Sequence, residues 1–214
     1  MSEAEAQTRA ISDMISIHGT SAKAVAITFD DGPNPEFTPQ MLDIFREEEG
    51  RATFYMTGEQ IARYPDTARL VQETGHEIGN HTYTHPHLTE LDEEAVRAEL
   101  VRTGDLIRET VGVQAATFRP PYLATDAQVE RIARELGYAV IGGVNGAARD
   151  WEMPGADHIL EASLAVAEPG SFLLFHDGYG DRSQTVEAVR ALVRTLKKEG
   201  YVFVTASELL AMES

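Results

Sequence analysis

Cysteine is absent from all 214 residues, which excludes a disulfide framework and thiolate metal ligands alike. Long apolar runs are absent too: nothing approaches the roughly 18 consecutive apolar residues of a membrane span. Basic residues are scarce, with 18 Lys and Arg against 35 Asp and Glu, a formal net charge of −17. Such a surface repels nucleic acid and anionic membranes, and no Lys/Arg cluster makes a local exception, so neither is expected as a partner. The opening MSEAEAQTRAISDMISIHGT has no long apolar core of the kind a signal peptide needs. The chain as written therefore reads as cytoplasmic, unless an export segment has been trimmed. No low-complexity linker interrupts the sequence. A monomer of one domain is expected, with residues 1–23 as an extension packing on it.

What is present is a repeated grammar. An amphipathic segment, a glycine and a short β-rich run recur as EEEG-RATFYM, QETG-HEIGN, ETVG-VQAATF, RELG-YAVIG, AEPG-SFLLF and KKEG-YVFVT. Glycine just past a helix end supplies a left-handed cap. The helical halves keep a period near 3.6: Val96, Leu100, Ile107 and Val111 share one face, Val129, Ile132, Ala133 and Leu136 another, Val186, Val189, Val193 and Leu196 a third. The intervening runs are short and apolar, as in strands buried on both faces of a parallel sheet. With a first strand over 24–29, about seven β/α units result.

Polar motifs follow five of those strands: TFDDG after the first, NHTYTH after the third, FRPPY after the fourth, RDW in the loop after the fifth and FHD at the end of the sixth. An open sheet gathers a ligand mainly at one switch point. Chemistry at five strand ends converges only if the sheet curls round. The expectation is an α/β fold, a distorted (β/α) barrel of about seven parallel strands with its site at the C-terminal mouth.

Asp30 and Asp31 alone, before Gly32-Pro33, could simply build a turn. His81 and His85 change the weight. Spaced i, i+4, they would present both imidazoles on one face of a helical turn and suit one metal ion. A carboxylate and two histidines leave open positions for water and substrate, the pattern of a catalytic metal. One of the two adjacent carboxylates can then ligate while its neighbour takes a proton. Arg119, locked before Pro120-Pro121, is the natural partner of the free carboxylate. His176, at a strand end, is placed to protonate a leaving group. Trp151, the single tryptophan, sits in a Gly/Ala-rich loop where its face could meet a sugar. His87 is expected to cap or pack, and His18, His76 and His158 to be structural or solvated.

These motifs, in this order over residues 24–207, resemble the NodB-homology polysaccharide deacetylases of carbohydrate esterase family four. The resemblance makes 24–214 the deacetylase domain and implies Asp30 as catalytic base, with Asp31, His81 and His85 as metal ligands. It further implies Arg119 as orienter of the base, the Tyr122 backbone N–H as oxyanion donor, His176 as acid and Leu174 as part of an acetyl-methyl pocket. One divalent ion is implied, Zn²⁺ first, with Co²⁺, Ni²⁺ or Mn²⁺ as alternatives, and a glycan substrate bearing N-acetylglucosamine. Two positions depart from the family pattern. Ala147 stands where the fourth motif usually begins with Asp, although Asp150, expected to tune His176, survives. Leu123 stands where glycine is frequent. O-deacetylation of acetylxylan and N-deacylation of a small amine are competing activities. The ligand set alone also fits a non-haem Fe(II) oxygenase, and the missing Asp a non-catalytic glycan binder.

Overall fold

A computed structural model describes residues 14–213; residues 1–13, most of the expected extension, lie outside the described residues. Seven strands form one wholly parallel sheet: β1 (Ala24–Gly32), β2 (Thr53–Met56), β3 (Glu77–Asn80), β4 (Thr117–Phe118), β5 (Ala139–Val140), β6 (Phe172–His176) and β7 (Val202–Phe203). They run in the order β5-β4-β3-β2-β1-β6, with β7 beside the start of β1. The sheet curls into the distorted barrel expected from the motif positions. No helix among the described residues is long and apolar enough to cross a membrane.

Strand alternation sorts the side chains. Along β1, Val25, Ile27 and Phe29 join the large core between sheet and helices, where Phe54, Leu173 and Phe175 also lie. The intervening Ala24 and Ala26 join a smaller cluster with Tyr55, Ile141 and Phe172 on the sheet's other face. Small residues on that inner face leave room for Tyr55 and for Arg119, the largest fully buried side chain. The helix Ala206–Leu210 closes the far end, where the Ala206 N–H donates to Thr53 Oγ1 (2.8 Å) and the Ser207 N–H to Glu77 Oε2 (2.9 Å).

The seam between β5 and β6 is closed by a segment outside the seven strands. The Ile15 N–H donates to Val140 O (3.0 Å) and Ile15 O accepts from Gly142 N–H (3.0 Å). On the other flank, Ser16 O accepts from Phe172 N–H (3.0 Å) and the His18 N–H donates to Gly170 O (2.9 Å). Nearer the mouth, Val144 N–H donates to Phe172 O (3.0 Å) and the Asn145 amide stands in for a strand, accepting from Leu174 N–H (2.6 Å) and donating to Leu174 O (2.9 Å).

The glycine junctions are left-handed at Gly75, Gly112, Gly137, Gly170 and Gly200, as the repeated grammar predicts. Gly50 differs: Glu49 takes the positive φ (52°) instead. Gly50 answers to a close approach, since a Cβ there would stand 2.8 Å from Phe203 Cβ.

Candidate metal and hydrolytic site

Two neighbours on a strand normally point to opposite faces. Asp30 continues the inward set of β1, and Asp31 should point away. The β1–β2 register slips between Asp30 and Gly32, and Asp31 takes a left-handed φ of 74°. Both carboxylates consequently reach one imidazole: Asp30 Oδ2 lies 3.9 Å and Asp31 Oδ1 3.5 Å from His81 Nε2. His85 Nε2 is 3.2 Å from Asp31 Oδ1.

The two histidines meet, but not on a helical turn. Residues 81–87 form an irregular loop with Thr82 (φ 66°) and His85 (φ 58°) left-handed. The Asn80 side chain takes the Thr82 N–H (2.9 Å), Thr82 Oγ1 takes the His85 N–H (3.1 Å), and Pro86 disfavours a helical His85. The rings sit 4.9 Å apart between centroids.

Asp31 Oδ1, His81 Nε2 and His85 Nε2 all lie within 4.8 Å of one another. His81 Nδ1–H donates to Arg119 O (2.7 Å), which fixes the ring and turns Nε2 toward the carboxylates. Asp31 Oδ1 is buried without a hydrogen-bond partner. Burial pushes the Asp31 carboxyl up, yet the close approach and charge of His81, with His176 and His85, hold it down at about 2. Burial pulls His81 down, but Asp30 and Asp31 override it and raise it. Burial and the neighbouring His81 lower His85. An ionised, unpartnered carboxylate oxygen converging with two imidazole nitrogens fits one divalent cation.

Arg119 is fully buried, with four of its five donors engaged. Nη1 bonds Asp30 Oδ1 (2.7 Å) and Thr28 Oγ1 (2.7 Å), Nη2 Gly142 O (2.6 Å) and Nε Ile141 O (3.3 Å). Its guanidinium lies 4.3 Å from the Tyr55 ring centroid. Stranding Asp30 by removing this partner should cost about 3–5 kcal/mol. On the adjoining strand, in register with Asp30, His176 Nδ1–H donates to Asp150 Oδ1 (2.8 Å). Asp150 Oδ2 accepts from the His176 N–H (2.8 Å) and from Thr185 Oγ1 (3.1 Å). Burial pulls His176 down, but the Asp150 hydrogen bond and charge, with Asp30 and Asp31, raise it above the ordinary histidine value.

A cleft of about 440 Å³ joins Asp30, Asp31, His81, His85 and His176 with the apolar walls Tyr122, Leu123, Trp151 and Leu174. All ten residues named from the sequence therefore come together, Arg119 and Asp150 standing behind the cleft. His87 stacks on Tyr122 (3.9 Å, 13°). His18 bonds Met212 O, His76 takes the Ala52 N–H, and His158 donates to Ala147 O. Ala147 is exposed and sends no side chain into the cleft. Leu123 has a φ of 53°, directly after Tyr122 at 60°, which explains why glycine would suit its place. Sequence reasoning missed Thr28, Tyr55, Asn145 and Thr185. The alternation of β1 and β2 could have found the first two, whereas nothing local marks the others.

A family model described as "Polysaccharide deacetylase" matches residues 18–141. A peptidoglycan-N-acetylglucosamine deacetylase of Bacillus cereus is 41% identical over 189 residues, covering 88% of each chain. A chitooligosaccharide deacetylase of Rhizobium leguminosarum bv. trifolii is 36% identical, covering 86% of this chain and 90% of the other. Among solved structures, a peptidoglycan N-acetylglucosamine deacetylase superposes with a TM-score of 0.88 at 28% identity, covering 100% of this chain and 99% of that one. A CE4 family pseudoenzyme from Bacillus anthracis gives 0.83 at 27%, covering 90% and 66%. With five ordered motifs converging on one barrel mouth and these matches spanning most of its length, the chain belongs to the polysaccharide deacetylase family.

Proposed function

We propose that this protein is a metal-dependent hydrolase that removes N-acetyl groups from N-acetylglucosamine residues of chitin-like or peptidoglycan-like glycans. The observation that carries this is that an Arg-held carboxylate, Asp30, and an Asp-held histidine, His176, its register partner on the adjoining strand, line one cleft with a three-donor cation site beside them. Relatives named for peptidoglycan and for chitooligosaccharide support the substrate class.

Asp31, His81 and His85 would hold the ion, Zn²⁺ being the first candidate. When bound it supplies Lewis acidity and lowers the pKa of water from 15.7 toward about 7. Asp30 Oδ1 is committed to Arg119, which leaves Oδ2 to accept the proton of the attacking water. The Tyr122 backbone N–H serves as donor to the developing oxyanion, a contribution typically worth about 3–4 kcal/mol. His176, charged on its Asp150 support, gives a proton to the departing amine. Leu174 and Trp151 wall the acetyl group and the sugar. Both proton-transfer positions carry ionisable groups, which favours an active enzyme over a glycan-binding pseudoenzyme.

The test is acetate release from Zn²⁺-loaded protein on chito-oligosaccharides, peptidoglycan fragments, acetylxylan and N-acetylglucosamine. Release from the first two is expected. Turnover confined to acetylxylan or the monosaccharide would overturn this substrate class.

The acid role has a pH signature. A raised His176 keeps its proton, and its competence, until the pH climbs through that raised value. Asp150→Asn removes the raising charge, so the alkaline limb of the kcat profile should move to lower pH. An unmoved limb would take His176 out of the acid role.

A further inference from the structure

Among the described residues, the exposed large aromatics are Tyr122, Trp151 and Tyr179; the first two line the cleft, and Tyr179 lies beside its His85 wall. Trp151 flanks His176 edge-on at 5.4 Å. A second set of rings forms a row: His87 on Tyr122 at 3.9 Å, Tyr122 to His85 at 4.7 Å, and His85 to Tyr179 at 6.3 Å. Tyr179 ends that row, one ring beyond the cation site.

Its backbone is both strained and fixed. Tyr179 has a φ of 46°, a left-handed conformation that penalises any residue with a Cβ. The loop below it is pinned to the residues that carry the chemistry. The Asp177 and Gly178 N–H groups both donate to Asp30 O (3.1 and 3.3 Å), and buried Arg182 donates from Nε to Gly178 O (2.8 Å). A Cβ on Gly178 would stand 1.9 Å from Asp31 O, so the loop lies directly against the strand end. Tyr179 is 42% exposed, which leaves it open to a ligand at the surface. A strained non-glycine residue on a rigid base beside a reaction centre points to function rather than packing.

We propose that the Tyr179 ring is a binding platform for the sugar residue adjoining the one whose acetamide reacts, and so a determinant of preference for oligomers. This rests on the function proposed above. A pyranose presents an apolar C–H face that an aromatic ring covers without charge, which suits a strongly acidic protein. The pinned loop holds the platform at a set distance from Asp30 and Asp31, so it acts on the neighbouring ring and not on the reacting carbonyl.

The experiment compares the parent with Tyr179→Gly and Tyr179→Phe, all Zn²⁺-loaded, on the dimer and tetramer of N-acetylglucosamine, with Tm measured alongside. Glycine fits the left-handed backbone, so Tyr179→Gly should keep or raise Tm. Its kcat/KM on the tetramer should fall by about three- to tenfold, through KM. The loss should be smaller on the dimer, and Tyr179→Phe should retain most of the parental value. Unchanged kcat/KM in Tyr179→Gly at both lengths, beside an active parent, overturns the platform and leaves the deacetylase function standing. An equal loss at both lengths also overturns it, placing Tyr179 at the reaction centre. A parent that releases no acetate from either oligomer removes the function itself and the platform with it.

Discussion

Asp30→Asn should lower kcat by about 10²- to 10⁴-fold while the protein keeps its full complement of metal. The asymmetry of the carboxylate decides this. Oδ1 accepts from Arg119 Nη1 at 2.7 Å, and Oδ2 faces the cleft 3.9 Å from His81 Nε2. An asparagine would keep its carbonyl oxygen on the guanidinium and turn its NH₂ toward the water, a donor where an acceptor is required. Asp30 is not among the three converging donors, so bound metal, read by elemental analysis, should stay near one ion per chain. If Asp30→Asn strips the ion and Asp31→Asn spares it, the two carboxylates have exchanged roles.

The second large effect is on the ion itself. His81→Ala and Asp31→Asn should each weaken metal binding by more than the 10- to 100-fold typical of losing an outer hydrogen-bond partner, because each removes a ligand atom. Activity is not the only readout. An ion that binds only the folded chain stabilises it by about 2.7 kcal/mol at a hundredfold excess over Kd. Added Zn²⁺ should therefore raise Tm for the parent after chelation, and leave His81→Ala unmoved. Equal Tm responses to Zn²⁺ in parent and His81→Ala would place the ion elsewhere.

Much of this site could be read from strand parity. Thr28 and Asp30, Thr117 and Arg119, Leu174 and His176 are each two apart, so each pair shares the face opposite to Phe29, Phe118 or Phe175. That pattern carries Asp30, Arg119 and His176 into one barrel. Parity fails at Asp31, which reaches the site only through a register slip and a left-handed backbone. It fails again at His81 and His85, whose i, i+4 spacing suggests a helix where Asn80 and Pro86 impose a loop. Asn145 and Thr185 were illegible because their partners, Leu174 and Asp150, lie 29 and 35 residues away and no local signal announces the pairing. The seam was likewise hidden, since Ile15 and Ser16 reach strands more than a hundred residues further on.

Strand order also bears on how the chain is made. β1 pairs with three strands, β2, β6 and β7, and leaves the ribosome before any of them, but its neighbour on one side, β6, begins roughly 140 residues later. At about 5–20 residues per second, that edge waits on the order of ten seconds for its partner. Throughout that interval the run AVAITF presents open backbone donors and acceptors on an apolar strand, the kind of edge that recruits other chains. Translation speed through residues 33–171 therefore sets how long that edge stays open.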